Sequence, residues 1–121
     1  MQLDAIHQET GILLFDAAAN RQTALLTHFQ VGLLVTLAKL GTVTRARLLE
    51  VLRPTAKDRA ALPQTLARLA QVNLLEETAA GPRRDQKQIK LTTFGQQVTT
   101  WLTSEWRGWS DYSRLNRIQR R

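Results

Sequence analysis

The sequence predicts a mainly α-helical domain with one small antiparallel β-hairpin and helical segments at both ends. Three observations lead to this prediction. A leucine stripe at helical spacing ends at Asn73, two extended stretches follow around an arginine-rich turn, and Thr92 then opens another helical pattern. A helix, a basic hairpin and a capped helix in this order are typical of a winged helix-turn-helix.

The first 40 residues are interpreted as helical. Residues 1–23 form a predicted N-terminal helical segment that Gly11 divides into two short pieces. A clearer helix is predicted over 27–40, where Gly41 supplies a plausible C-terminal stop. Its apolar residues at helical spacing are Phe29, Leu33, Leu34, Leu37 and Leu40. Thr42-Val43 then reads as a short extended link, where many winged helices add a third strand.

Two helices are predicted next, and together they form the helix-turn-helix. Thr44 is a good N-cap for a helix over 45–53, which Arg53-Pro54 ends because the residue before proline avoids the α region. Proline is favoured at the first helical position, so the second helix is predicted to begin at Pro63. The alternative is a start near Arg59, with Pro63 inside the first turn or kinking it. The predicted buried stripe is Leu62, Leu66, Leu69 and Val72. Asn73 can adopt the left-handed conformation that closes a helix.

The remaining segments predict a wing and a C-terminal helical region. Residues 74–78 and 86–91 read as two strands, and Thr92 caps a final helical region with a break near Gly108. The whole chain, residues 1–121, is therefore predicted to be a single winged-helix domain. Its predicted parts are an N-terminal helical segment (1–23), the winged helix-turn-helix (24–92), and a C-terminal helical segment with a basic tail (93–121).

The charge distribution favours a polyanionic partner. The chain has 121 residues, 17 of them Lys or Arg and 10 Asp or Glu, for a net charge of +7. Residues 41–92 carry ten basic and five acidic side chains, a net charge of +5. Basic surfaces bind phosphates and release counterions, although a solvated cationic surface is equally compatible with charge alone. The fold pattern decides in favour of double-stranded DNA.

Several other classes of protein find no support. The chain has no cysteine, so it has neither disulfides nor thiolate metal ligands. Its longest apolar run, 31–38, is too short to cross a bilayer, and Asp4 and Glu9 stand where a signal peptide needs positive charge. His7 and His28 lie near no carboxylate pair or glycine-rich loop. We therefore expect a cytoplasmic protein of a prokaryote or its phage, not an enzyme, with no cofactor and no metal site.

Three requirements of DNA reading select the candidate site residues. A recognition helix needs polar side chains opposite its apolar stripe, its approach needs cations for phosphates, and the wing tip must be basic. The respective candidates are Gln64, Thr65 and Arg68; Arg45, Arg47, Lys57 and Arg59; and Arg83, Arg84 and Lys87. Gln64 suits an adenine edge, and Arg68 a guanine or a phosphate.

The chain resembles the multiple-antibiotic-resistance (MarR-type) winged-helix regulators over about residues 25–100. Leu26-Thr27 through Ala38 is similar to that family's helix before the helix-turn-helix, and Leu69 to Leu74 to its recognition-helix exit, with Asn73 where the family usually has glycine. Leu91-Thr92-Thr93-Phe94-Gly95 matches its Leu-Thr-x-x-Gly motif. The wing departs from the family, because Arg83 stands where an Asp-x-Arg motif usually begins and Asp85 follows two residues on.

The resemblance implies a dimer joined through N- and C-terminal helices. Trp101, Trp106 and Trp109 cannot all point the same way on one helix, so at least one is expected to face a partner or the N-terminal helix; the alternative is that they cap this chain's own core. A promoter-occupying repressor is favoured, and no residue identifies a small-molecule effector. The rival interpretation is a winged helix that binds protein, or an adaptor in a phage or plasmid replication or partition complex.

Overall fold

The structure, a computed structural model, describes residues 2–19, 21–79 and 87–116. Within these ranges the chain forms five helices and two three-stranded antiparallel sheets. The helix-turn-helix and its wing are present as predicted. The fold is nevertheless not mainly α, because a sheet that the sequence did not predict precedes the first helix.

The predicted N-terminal helical segment is wrong. The chain instead forms a meander of three strands, β1 (Leu3–Gln8), β2 (Gly11–Asp16) and β3 (Arg21–Thr27), which pair in that order. The side chains of Ile12 and Leu14 are completely buried on the inner face of β2. A short apolar run of this kind fits a buried strand as well as a helix, so hydrophobic periodicity alone does not separate the two.

Gly11 has a packing role that differs from the predicted helix break. It begins β2 and pairs with Thr27 of β3. A Cβ atom at this position would lie 1.8 Å from the carbonyl oxygen of Leu26, well inside van der Waals contact. Glycine is therefore required because β2 and β3 approach each other too closely for any side chain.

Helix α1 (His28–Leu40) begins and ends close to where the sequence predicts. Thr27 and Gln30 form a capping box: the Thr27 hydroxyl accepts a hydrogen bond from the Gln30 amide, and the Gln30 side chain accepts one from the Thr27 amide. At the other end Gly41 adopts a φ of 77°, which confirms it as the stop.

The helix-turn-helix consists of α2 (Arg45–Leu52) and α3 (Ala56–Gln71). The Thr44 cap of α2 is confirmed, since its hydroxyl accepts a hydrogen bond from the amide of Arg47. The predicted start of the second helix at Pro63 is wrong. Thr55 caps α3 one residue before Ala56, so Pro63 lies inside the helix, and the alternative start near Arg59 is closer to the structure.

The wing is a three-stranded sheet. Strands β5 (Leu75–Ala79) and β6 (Lys87–Leu91) pair in antiparallel register, and β4 (Val43–Thr44) adds to the other edge of β6. The third strand predicted at Thr42-Val43 is thus confirmed within one residue. Asn73 adopts a φ of 63° between α3 and β5, as predicted for a residue that closes a helix.

The C-terminal region forms α4 (Thr93–Ser104) and α5 (Trp109–Leu115), separated by the predicted break. The Thr92 hydroxyl caps α4 by accepting a hydrogen bond from the Gly95 amide. A Cβ at Gly95 would lie 1.8 Å from the carbonyl oxygen of Leu74. Glycine at this position therefore lets the first turn of α4 pack directly on the backbone that leaves α3.

Aromatic residues join α5 to the rest of the molecule. Tyr112 is completely buried, and its ring lies 5.9 Å from that of Trp109 and 6.0 Å from that of Trp106. Trp109 is only 7% exposed, and both Trp101 and Trp106 pack against the same core. The tryptophans therefore cap this chain's own core, and the described residues before α1 form strands instead of the predicted N-terminal helix.

The two sheets and the helices share one hydrophobic core. Nothing among the helices of the described ranges is both long enough and apolar enough to cross a membrane.

Candidate nucleic-acid interface

Helix α3 presents a polar face to solvent. Leu62, Leu66 and Leu69 are buried on its inner side, and the helical repeat places Gln64 and Arg68 away from them, both exposed. The exposed residues of α3 with polar or charged side chains are Lys57, Arg59, Gln64, Arg68 and Gln71. The one carboxylate of the helix, Asp58, is half-buried, so the outward face is cationic.

Thr65 does not belong to this outward face. It lies three residues after Leu62 and four before Leu69, which places it beside the buried stripe, and it is half-buried. Thr65 is therefore less exposed than predicted, and its role in DNA recognition remains a prediction. Gln64 and Arg68 are exposed as predicted, although whether they contact DNA bases remains a prediction.

Arg45 is held by the wing. Its guanidinium forms two hydrogen bonds with the Glu77 carboxylate, from Nε at 3.0 Å and from Nη2 at 2.9 Å. The two side chains are 32% and 19% exposed. This bidentate pair joins the first residue of α2 to the middle of β5, so Arg45 fixes the position of the wing and is not an unpaired cation.

The described part of the wing carries balanced charge. Lys87, a predicted contact, begins β6 and is half-buried. On the exposed face, Lys90 of β6 forms an ion pair with Glu76 of β5 at 3.3 Å. The predicted wing-tip residues Arg83 and Arg84 lie outside the described residues, so the position of the basic tip relative to α3 remains a prediction.

A cationic cleft lies between the end of α2 and the beginning of α3. Its volume is about 610 Å³, and it is open to solvent. The residues that line this α2–α3 cleft are Arg47, Leu49, Glu50, Arg53, Pro54 and Arg59. The structure thus brings the predicted phosphate contacts Arg47 and Arg59 together, whereas Arg45 pairs elsewhere and Lys57 is exposed on the first turn of α3.

The sequence prediction missed Arg53. This residue ends α2 with a φ of 47° and a ψ of 57°, the left-handed region that few residues other than glycine, asparagine and aspartate occupy. The Arg53-Pro54 pair was identified as a helix terminator only. A cation at the turn of a helix-turn-helix is the signal that could have added it to the candidate residues.

Both histidines contact the buried Tyr112. The Nε2 of His28 lies 2.7 Å from the carbonyl oxygen of Glu9, which can only accept, so Nε2 carries the proton. In the neutral ring Nδ1 then accepts from the Tyr112 hydroxyl at 2.9 Å. Burial raises the pKa of Tyr112 to about 12, and His7 contacts the same ring edge-on. Within the described ranges no group of three potential ligands is placed to hold a metal ion.

Comparison with solved structures supports the winged-helix fold. The chain is similar to ZitR of Lactococcus lactis in complex with DNA, with a TM-score of 0.54 and 24% identity over 92% of this chain and 74% of that one. It is also similar to a mutant of the same protein, with a TM-score of 0.58 and 24% identity over 93% and 73% of the two chains. At this identity the likeness shows the fold. No protein-family model and no curated protein matches the chain.

Proposed function

We propose that this protein is a sequence-specific DNA-binding transcriptional regulator whose α3 enters the major groove. The observation that carries the proposal is the outward face of α3, where Lys57, Gln64 and Arg68 stand exposed opposite the buried leucines. A solved winged helix of similar fold is a complex with DNA. The basic wing tip, Arg83 and Arg84, supplies further phosphate contacts in this proposal.

Double-stranded DNA affinity measured against salt concentration tests the proposal. Each phosphate that the protein neutralises makes the slope of log affinity against log salt concentration more negative by about 0.9. Several contacts therefore give a steep fall in affinity as salt rises. We expect that Gln64→Ala changes sequence preference, whereas the double variant Arg83→Ala with Arg84→Ala weakens binding to all sequences alike. A flat salt response would refute DNA binding and favour the rival function, a winged-helix adaptor that binds protein.

A dimeric repressor of the MarR type is the finer form of the proposal. The matching Leu-Thr-x-x-Gly segment, 91–95, supports the family, whereas the N-terminal sheet stands where the resemblance implies a helix. The dimer contact in this proposal involves α5, whose Leu115 is 69% exposed, together with the outer face of the N-terminal sheet.

That outer face carries an apolar row across the three strands. Ile6 pairs with Leu13 and Leu13 with Leu25, and Ile6 and Leu25 are 50% and 45% exposed. Sedimentation equilibrium of the purified chain gives the oligomeric state. If the chain is a dimer and either Leu25→Asp or Leu115→Asp dissociates it, the proposed contact is supported. A monomer at all concentrations contradicts it.

A further inference from the structure

We infer that the α2–α3 cleft binds a phosphate group, which Arg53 and Arg59 contact directly. The inference rests on the proposed DNA-binding function and extends it to Arg53, which the sequence analysis did not select, and to its pairing with Arg59 in one cleft. In that context the phosphate belongs to the DNA backbone next to the groove that α3 enters. A free phosphate ester offers the same chemistry, so the experiment below separates the two sources.

The charges in the cleft leave two arginines available. Glu50, its one carboxylate, accepts a hydrogen bond from Arg47 at 3.2 Å, and this pair is well exposed at 67% and 59%. Among the described residues neither Arg53 nor Arg59 has an ion-pair partner. A guanidinium presents a planar fork of N–H donors that matches two phosphate oxygens, so these two side chains suit a phosphate rather than a bare halide ion.

The position of Arg53 supports this role. An arginine in the left-handed region is strained relative to the ordinary helical region, and glycine or asparagine would largely avoid that strain. The conformation ends α2 sharply, and Pro54 and Thr55 then lead into α3, so Arg53 lies at the turn itself. An arginine here therefore places a cation at the corner of the helix-turn-helix, beside the first turns of the helix proposed to enter the groove.

The beginning of α3 contributes one of the two available cations of the cleft. Arg59 stands four residues after Thr55 and lines the cleft from the α3 side. A phosphate in the cleft thus meets cations from both helices of the motif, which links its binding to their relative position.

The test uses three variants of the full chain, each losing one positive charge. Arg53→Asn suits the left-handed backbone and is expected to fold at least as stably as the wild type, and Arg59→Gln preserves helix propensity. Arg107→Gln is the matched control, because Arg107 is exposed between α4 and α5 and does not line the cleft. Thermal unfolding of each variant confirms that it is folded before affinity is measured.

DNA affinity across a salt series gives the main readout. We expect Arg53→Asn and Arg59→Gln each to reduce the magnitude of the log–log slope by about 0.9 and the affinity at 0.1 M salt about eightfold, with sequence preference unchanged. The Arg107→Gln slope should match that of the wild type. If the wild type binds DNA steeply while both cleft variants keep its full slope, the cleft binds no backbone phosphate, although the DNA-binding function stands.

Calorimetric titration with pyrophosphate in the absence of DNA separates the second source. If the wild type binds no DNA but binds pyrophosphate, and Arg53→Asn abolishes that binding, the cleft is a site for a free phosphate. In that case only the proposed DNA-binding function is wrong. If the wild type binds neither, both proposals are wrong.

Discussion

The side chain of Arg45 shows how the structure changes the interpretation of a single cation. On sequence grounds it was one of several equivalent phosphate contacts near the recognition helix. In the structure its guanidinium donates two hydrogen bonds to the carboxylate of Glu77, a residue 32 positions away in the wing. Arg53, by contrast, was treated as a helix terminator, yet it lines an open cleft and has no ion-pair partner in the part of the chain that the structure describes. Charge is visible in a sequence, but the availability of a charge depends on which carboxylate folds against it.

A double-mutant cycle tests the role of Arg45. Removing one member of a half-buried bidentate pair leaves the other without its partner, so Arg45→Ala and Glu77→Ala should each lower the free energy of unfolding by about 1–2 kcal/mol, with a coupling of about 1 kcal/mol. The measurement is urea unfolding of both single variants and the double variant.

The exposed pair Arg47 and Glu50 is the matched control, since its coupling should stay below about 0.5 kcal/mol. Equal coupling in the two pairs would show that burial of the Arg45–Glu77 pair contributes nothing.

Individual helices were predicted well where their ends depend on local chemistry. Thr44 and Thr92 act as the predicted caps, and Gly41 and Asn73 end the helices that precede them. These signals need only neighbouring backbone amides and allowed φ values. Helix α3 was the exception, because Pro63 was taken as its first residue when the start is actually capped by Thr55, eight positions earlier.

Replacement of that proline tests the length of α3. Pro63 is exposed inside the helix, and its nitrogen cannot donate to the carbonyl of Arg59. Pro63→Ala should therefore raise the free energy of unfolding by about 1–3 kcal/mol, measured by chemical unfolding. The control Pro54→Ala changes a residue between the helices and should give no comparable gain. A loss of stability in Pro63→Ala would contradict a continuous helix over Ala56–Gln71.

The N-terminal sheet and the C-terminal helix are joined through a partly buried cluster around Tyr112. His28, at the start of α1, bridges the Tyr112 hydroxyl of α5 and the Glu9 carbonyl in the β1–β2 turn. Glu9 and Tyr112 lie at opposite ends of the chain, so no local pattern predicts this contact. The cluster explains why Trp109 and Tyr112 are buried within their own chain.

The ionisation of Tyr112 reports on this assembly. Its folded pKa of about 12 exceeds the ordinary value of 10.0, because burial disfavours the phenolate. The contribution of the neutral Tyr112 to the free energy of unfolding is therefore fully present below pH 10, and it is lost as the pH rises towards 12. Since Tyr112 is the only tyrosine, near-ultraviolet absorbance of the native protein should titrate near 12, and near 10 in denaturant.

The matched variant is Tyr112→Phe. The free energy of unfolding should fall more steeply between pH 10 and pH 11 in the wild type than in Tyr112→Phe, by up to about 1 kcal/mol. A native midpoint near 10 would show that the Tyr112 ring is accessible to water and would contradict the buried cluster.

The amino-acid sequence was sufficient for the cationic balance, the caps of α2 and α4, the ends of α1 and α3 and the order of elements from α1 to α5, because each depends on composition or on residues a few positions apart. The N-terminal meander, the Arg45–Glu77 pair and the α2–α3 cleft required the folded chain. The strands of the meander pair across separations of 3 to 16 residues, and Arg45 meets Glu77 across 32. Such contacts depend on how the elements pack against one core, and hydrophobic periodicity within a short segment carries no record of that packing.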